Sequence, residues 1–161
     1  MKKLPRIYCD MDGVLVDFEK NIEKVTGGSI NKWAKIPIAT RWKDVIATKR
    51  FWHDAPWHPE GVKLWNFIKK YDVHILSAYV EHGNDPNCIP GKNHWVRSKL
   101  GLQQNKINLA RRKDKQNYAS PASILIDDYK KNTDDFTRRG GTGIQFTSAS
   151  AVISQLKKLG F

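Results

Sequence analysis

Cysteine is scarce in this chain, which has only Cys9 and Cys88. Cys9 falls inside an apolar run, so a disulfide framework is excluded and a reducing, cytoplasmic setting is expected. Burial in that run also argues against Cys9 as a nucleophile. Long apolar stretches are lacking too, and none approaches the roughly 18 residues of a membrane span. The lead Met1-Lys2-Lys3-Leu4-Pro5 has two lysines but no export-type apolar segment before Asp10, so neither a signal segment nor a membrane partner is expected. Acidic residues are outnumbered, 16 Asp and Glu against 28 Lys and Arg, for a net charge of +12. That imbalance favours anionic partners: phosphorylated metabolites, nucleotides or nucleic acid. The five histidines, His53, His58, His74, His82 and His94, show no metal-ligand spacing. No internal repeat or low-complexity tract is present.

What is there is enough apolar residue, 40% of the chain, to exclude disorder. The length of 161 residues fits a single domain over 1–161 with a small insertion. Leu4 to Cys9 is long enough for one buried strand, and Gly13 permits a tight turn just after it. Phe18 to Val25 reads as a helix with Phe18, Ile22 and Val25 on one face, stopped by Gly27-Gly28. From Ser29 to His58 the pattern changes to short polar segments punctuated by large rings. Trp33, Trp42, Trp52 and Trp57 all lie here. Two or three short helices are expected, with Ser29 or Asn31 capping the first and Thr40 the second. Residues 18–58 thus read as a small helical cap inserted after the first strand. Its rings either fill a core too small for ordinary side chains or stack on a planar ligand. Phe18, next to the first strand end, and Trp52 are the two expected to face a ligand.

Beyond the cap the chain alternates. Helix 60–71 precedes a strand over 72–76 that ends at Ser77-Ala78. A loop over 79–90 leads to helix 91–100, closed by Gly101. A third strand covers 106–109, a basic connection 111–118, and a fourth strand 123–126 ends in Asp127-Asp128. Helix 130–138, a fifth strand over 143–146 and a last helix capped by Ser148 complete the chain. Short apolar strands alternating with helices predict an α/β fold, a Rossmann-like parallel sheet with helices on both faces.

In such a sheet every strand's C-terminal end lies on one edge, where ligands bind. Asp10 and Asp12 follow the first strand, Ser77 ends the second, and Asp127 and Asp128 end the fourth. Four carboxylates gathered in one crevice repel one another and call for a cation. Oxygen donors select a hard ion such as Mg²⁺, held by Asp10, Asp12 and Asp127, with Asp128 acting through water or orienting the site. Asp10 can attack phosphorus to form an aspartyl-phosphate. Asp12 can protonate the leaving oxygen and then deprotonate water. Ser77 can hydrogen-bond a phosphate oxygen, and a lysine should offset its charge.

These residues resemble the signatures of the haloacid dehalogenase-like (HAD) phosphohydrolases. Asp10-Met11-Asp12-Gly13-Val14-Leu15 is similar to the first, and its extension through Val16-Asp17-Phe18 to that of the 5'(3')-deoxyribonucleotidase branch. Val73-His74-Ile75-Leu76-Ser77-Ala78 resembles the second, and Ile124-Leu125-Ile126-Asp127-Asp128, with Asn132 behind it, the fourth. The resemblance implies a phosphate-binding Ser77-Ala78 pair, Asn132 beside the metal shell, and a phosphate lysine upstream of Asp127. Lys115, in Lys115-Gln116-Asn117-Tyr118-Ala119, fits the branch better than Lys113, and both stay open. The implied activity is a Mg²⁺-dependent phosphomonoesterase for nucleoside monophosphates. Two alternatives stand beside it: a polynucleotide end phosphatase, and a nucleic-acid-binding protein on a phosphatase scaffold.

Overall fold

The structure, a computed structural model, describes residues 3–161. Met1 and Lys2, the first two residues of the lead read for export, lie outside the described residues. Five parallel strands form one sheet in the order β3-β2-β1-β4-β5: β1 Arg6–Cys9, β2 Val73–Ala78, β3 Ile107–Ala110, β4 Ser123–Asp127 and β5 Thr142–Gln145. β1 is central, with Cys9 in register with Ile75 on one side and Ile126 on the other. Apolar side chains of a strand alternate between faces, and here the alternation feeds two cores. Ile7, Cys9, Ile75, Ile124, Ile126 and Ile144 pack on one face. Tyr8, Leu76 and Leu125 pack on the other with Phe136.

The first face is covered by three helices: α5 Gly61–Ile68, α6 Cys88–Trp95 and α8 Ala149–Lys158. They contribute Leu64, Trp65 and Ile68, then Trp95, then Val152 and Leu156. The second face is covered by α7 Lys130–Arg138 and by a 3₁₀ segment over Arg112–Tyr118. Both faces are therefore dry, which is why β4 is buried at every position. Beyond Trp95, α6 widens into π-type turns over Val96–Leu100 before Gly101 stops it in a left-handed conformation.

Between β1 and α5 lie four short helices: α1 Phe18–Thr26, α2 Ile30–Lys35, α3 Ile38–Arg41 and α4 Lys43–Ala47. Ser29 caps α2 by accepting from the Lys32 N–H. Thr40 is not a cap. It sits inside α3, whose N-terminal boundary is Pro37, and its hydroxyl donates back to the Pro37 carbonyl. These helices share a core of their own with Ile22, Trp33, Val45, Phe51 and Trp52. The rings meet mostly edge to face: Trp33 and Trp42 lie 4.8 Å apart at 85°, and Phe51 and Trp52 4.8 Å apart at 81°. Such pairs supply area and some directional attraction to helices too short to bury much otherwise. The chain enters and leaves this segment side by side. Val16 bridges Trp57 in antiparallel fashion, Asp17 N–H donates to the Pro56 carbonyl at 2.9 Å, and His58 N–H donates to the Leu15 carbonyl at 2.8 Å. Among the described residues no helix is long and apolar enough to cross a membrane.

Candidate active site

β1 delivers Asp10 to the C-terminal edge, and the chain then folds into a tight loop in which the Val14, Leu15 and Val16 N–H groups all donate to the Met11 carbonyl. Gly13 holds this loop with φ +81°, a left-handed value that glycine adopts at little cost. It also has no room for a side chain, because a Cβ there would run into the Asp128 carboxylate. The loop therefore places Asp10 and Asp12 against the end of β4, where Asp127 and Asp128 emerge. One donor atom each from Asp10, Asp127 and Asp128 lie within 4.8 Å of one another.

Two buried lysines face these carboxylates. Lys115, on the 3₁₀ segment, donates to Asp10 Oδ1 at 3.0 Å and to Asp127 Oδ2 at 2.7 Å. Lys113, by contrast, is exposed. Lys92, on α6, is 1% exposed. Its Nζ donates to Asp12 Oδ2 at 2.7 Å, to Ser77 Oγ at 2.8 Å and to the Ala78 carbonyl at 2.8 Å. The Trp52 ring closes over the same ammonium at 4.9 Å. Asp127 is further fixed by the Tyr129 N–H at 2.9 Å on Oδ1 and by Asn132 Nδ2 at 3.1 Å on Oδ2. Asn132 in turn accepts from Arg112 at 3.0 Å.

The electrostatics follow from the count. With all four ionised, Asp10, Asp12, Asp127 and Asp128 bring four negative charges and Lys92 and Lys115 two positive ones, which leaves two negative charges uncompensated and favours a proton or a cation among them. Burial, and then the Asp127 charge, push the Asp10 carboxyl well above the usual carboxylate range, with Lys115 opposing. Burial and Asp127 push Asp128 up to about 6. Burial alone would lower the Lys115 pKa, but Asp10 and Asp127 outweigh it and hold the ammonium protonated. The cluster thus has the charge deficit and the oxygen donors that a hard divalent cation fits.

Asp10, Asp12, Ser77, Lys115, Asp127, Asp128 and Asn132 are brought to one edge from four separate segments. Two expectations change. The Asp12 carboxylate, expected in the metal shell, is paired with Lys92 and is not one of the three whose donor atoms meet, and Asp128, expected outside that shell, meets Asp10 and Asp127. Trp52 does not reach the cleft. It is 3% exposed, its indole N–H donates to Asp85 Oδ2 at 2.8 Å, and its ring packs over Lys92. Phe18 does line the cleft, backed by rings of Trp33, Phe51 and Trp52 within 6.2 Å.

Lys92 was not singled out as a site residue within helix 91–100, yet a signal existed. Cys88, Lys92 and Trp95 share one face of α6 and are all buried, and a lysine on an apolar stripe seldom sits there unpaired. Gly91 brings that face in, since a Cβ at its position would lie 2.6 Å from Trp52 Cβ.

The cleft holds about 410 Å³ and is lined by Asp10, Asp12, Ala78, Lys115, Asp127 and Asp128 on the sheet side. Phe18, Glu19 and Ile30 line it on the helical side. Another recess, near the opposite end of β1, is lined by Lys3, Arg6, Tyr8 and Asp72. Its one carboxylate, Asp72, is already paired with Arg6 at 3.0 Å, so it lacks the chemistry of the cleft.

No family model matches the chain. Over 128 residues, 80% of this chain and 68% of the relative, it is 29% identical to a Vibrio phage KVP40 protein provisionally named a 5'(3')-deoxyribonucleotidase. Among solved structures it is similar to a provisionally assigned HAD hydrolase from Bacillus subtilis, determined bound to magnesium. That match has a TM-score of 0.65 and 10% identity, covering 96% of this chain and 99% of that one. A haloacid dehalogenase-like hydrolase from Xanthomonas campestris gives 0.63 and 13%, over 97% and 91%. A HAD-superfamily hydrolase from Ehrlichia chaffeensis gives 0.55 and 12%, over 99% of both chains. With its strand order, its two buried faces and its acidic strand ends at one edge, this chain is built on the fold of the haloacid dehalogenase-like hydrolases.

Proposed function

We propose that the protein is a Mg²⁺-dependent phosphomonoesterase acting on nucleoside monophosphates, with deoxyribonucleotides as the preferred class. The observation that carries this is the meeting of Asp10, Asp127 and Asp128 within 4.8 Å, where Lys115 is the buried ammonium that pairs with them, on Asp10 and Asp127. Asp10, Asp127 and Asp128 would hold the ion, which when bound neutralises phosphate charge and offsets the repulsion between the carboxylates. The Asp10 carboxylate attacks phosphorus. The bond from phosphorus to the ester oxygen breaks, Asp12, whose side chain is 28% exposed, relays to that oxygen a proton drawn from solvent, and an aspartyl-phosphate remains on Asp10. Water then attacks this phosphorus while Asp12 takes its proton, and orthophosphate leaves. Lys115 and Lys92 flank the two aspartates and would balance charge on the transferring group, with Ser77 fixed by the Lys92 ammonium. The nucleotide part of the reading is supported by the phage relative's name and by the apolar wall of Phe18 and Ile30. Two buried, unbridged cysteines agree with a cytoplasmic setting.

The test is phosphate release from a panel of 5'- and 3'-nucleoside monophosphates with Mg²⁺. Asp10→Asn should lower turnover by at least about 10³-fold, because an amide in place of this carboxylate cannot form the acyl-phosphate. Undiminished turnover in this variant would exclude the covalent route. A strong preference for a 5'-phosphorylated oligonucleotide over the mononucleotide would shift the substrate to polynucleotide ends.

A further inference from the structure

Tyr129 follows the two β4 aspartates directly, yet nothing in the proposed chemistry uses its side chain. It is 50% exposed, an unusual state for a large ring beside a buried charge cluster. It lines the same cleft as Phe18 and Ile30. Phe18 and Ile30 come from the helical segment, whereas Tyr129 comes from the sheet side, so both parts of the chain bring an apolar group to a cleft that the carboxylates also line. The tyrosine ring is also held in place. The Arg112 guanidinium carbon lies 5.8 Å from its centroid, and Arg112 is anchored by its hydrogen bond to Asn132 at 3.0 Å. One face of the ring is thus occupied by a cation, while half of the residue's surface stays open. The contact with Asp127 is made by the Tyr129 backbone N–H, so the ring can be replaced without removing that hydrogen bond.

We propose that Tyr129 is a specificity-determining residue whose ring packs against the nucleobase of the substrate, opposite Phe18, while the phosphate sits at Asp10. This rests on the nucleotide reading above for the nature of the ligand. Base-on-ring stacking is tolerant of base identity because every base has a flat π-face. Tyr129 therefore selects nucleotides over phosphomonoesters that carry no flat ring, without selecting among bases.

The experiment is calorimetric binding to the full chain with Mg²⁺. The two probes are a non-hydrolysable nucleoside 5'-phosphonate and methylphosphonate, which offers the same head group without a base. Tyr129→Ala should weaken the nucleoside phosphonate by about 5- to 150-fold, the range found for losing one stacked base. Methylphosphonate binding should change by less than about twofold, and Tyr129→Phe should restore most of the loss, since the stacking face is kept. Equal weakening of both ligands in Tyr129→Ala, no weakening of either, or a wild type that does not favour the base-bearing ligand would each overturn the proposal. Phosphate release, measured separately, keeps this apart from the enzymatic reading. Base-dependent binding that needs Tyr129 in a protein hydrolysing no ester would sink the enzymatic reading alone. Asp10-dependent turnover with the nucleoside phosphonate bound equally well by Tyr129→Ala would sink this inference alone.

Discussion

Replacing Lys92 by methionine removes a buried ammonium while keeping a side chain of similar reach. Three acceptors lose their donor at once: Asp12 Oδ2, Ser77 Oγ and the Ala78 carbonyl, all within 2.8 Å of Nζ. Ser77 is fully buried and the Asp12 side chain 28% exposed, so water can re-solvate Asp12 in part and Ser77 hardly at all. Breaking one side of a buried ion pair costs about 3–5 kcal/mol, and the partial exposure of Asp12 places this case near about 3 kcal/mol. With a urea slope of about 2 kcal/mol per M, the unfolding midpoint should fall by about 1.5 M. In a chain of this size the melting temperature should fall by about 6–12 °C. Tryptophan fluorescence reports the transition directly, because the Trp52 ring lies 4.9 Å from the missing charge. The measurement belongs in chelator, so that metal binding does not mask the folding equilibrium. Repeating the substitution in an Asp12→Asn background isolates the pair, and the cost there should shrink by about 1–3 kcal/mol. An equal cost in both backgrounds, or a midpoint shift below about 0.3 M, would refute the claim that Lys92 and Asp12 neutralise each other in the folded protein.

Metal binding should be coupled to acid. Asp128, pushed up to about 6, and Asp10, also raised, take up protons in the folded state before they would in the unfolded chain. The metal-free protein should therefore gain stability from these groups as pH falls from 7 toward 4, and lose it as pH rises through about 6. Mg²⁺ competes with those protons, so the rise in melting temperature it produces should be largest above pH 7 and shrink below 6. A Mg²⁺ effect independent of pH between 5 and 8 would contradict the assignment. Gly13→Ala should cost at least about 1–2 kcal/mol in urea unfolding through its positive φ. It should also weaken Mg²⁺ binding, because the new methyl displaces the Asp128 carboxylate; unchanged Mg²⁺ affinity by calorimetry would show that Asp128 is not positioned by this loop.

The sheet and its acidic edge were legible in the sequence because each apolar run is short and ends in the residues that matter. Asp10, Ser77 and Asp127 each mark where a strand leaves the core. Lys115 could be narrowed only to a pair with Lys113, because a 3₁₀ segment has no strong sequence period and the choice between exposed and buried lysine is made by tertiary packing. The path of Asp12 and the place of Trp52 were not legible for a shared reason. Both are decided by Lys92, whose burial depends on α6 lying against the helical segment through Gly91. Contacts between segments some forty residues apart leave no local pattern to read. Phe18 was easier, since it follows the first strand end too closely to lie elsewhere.

The paired entry and exit of the helical segment restrict how it can move. A domain joined by a single tether is free to swivel and twist about it. Here Leu15 to Asp17 and Pro56 to His58 are stitched into a narrow two-stranded ribbon by backbone hydrogen bonds. Such a ribbon bends more readily than it swivels, so displacement of α1–α4 would run along one arc. On such an arc Phe18, the first residue past the ribbon, would move toward or away from the carboxylates, and the Trp52 hydrogen bond to Asp85 would have to give.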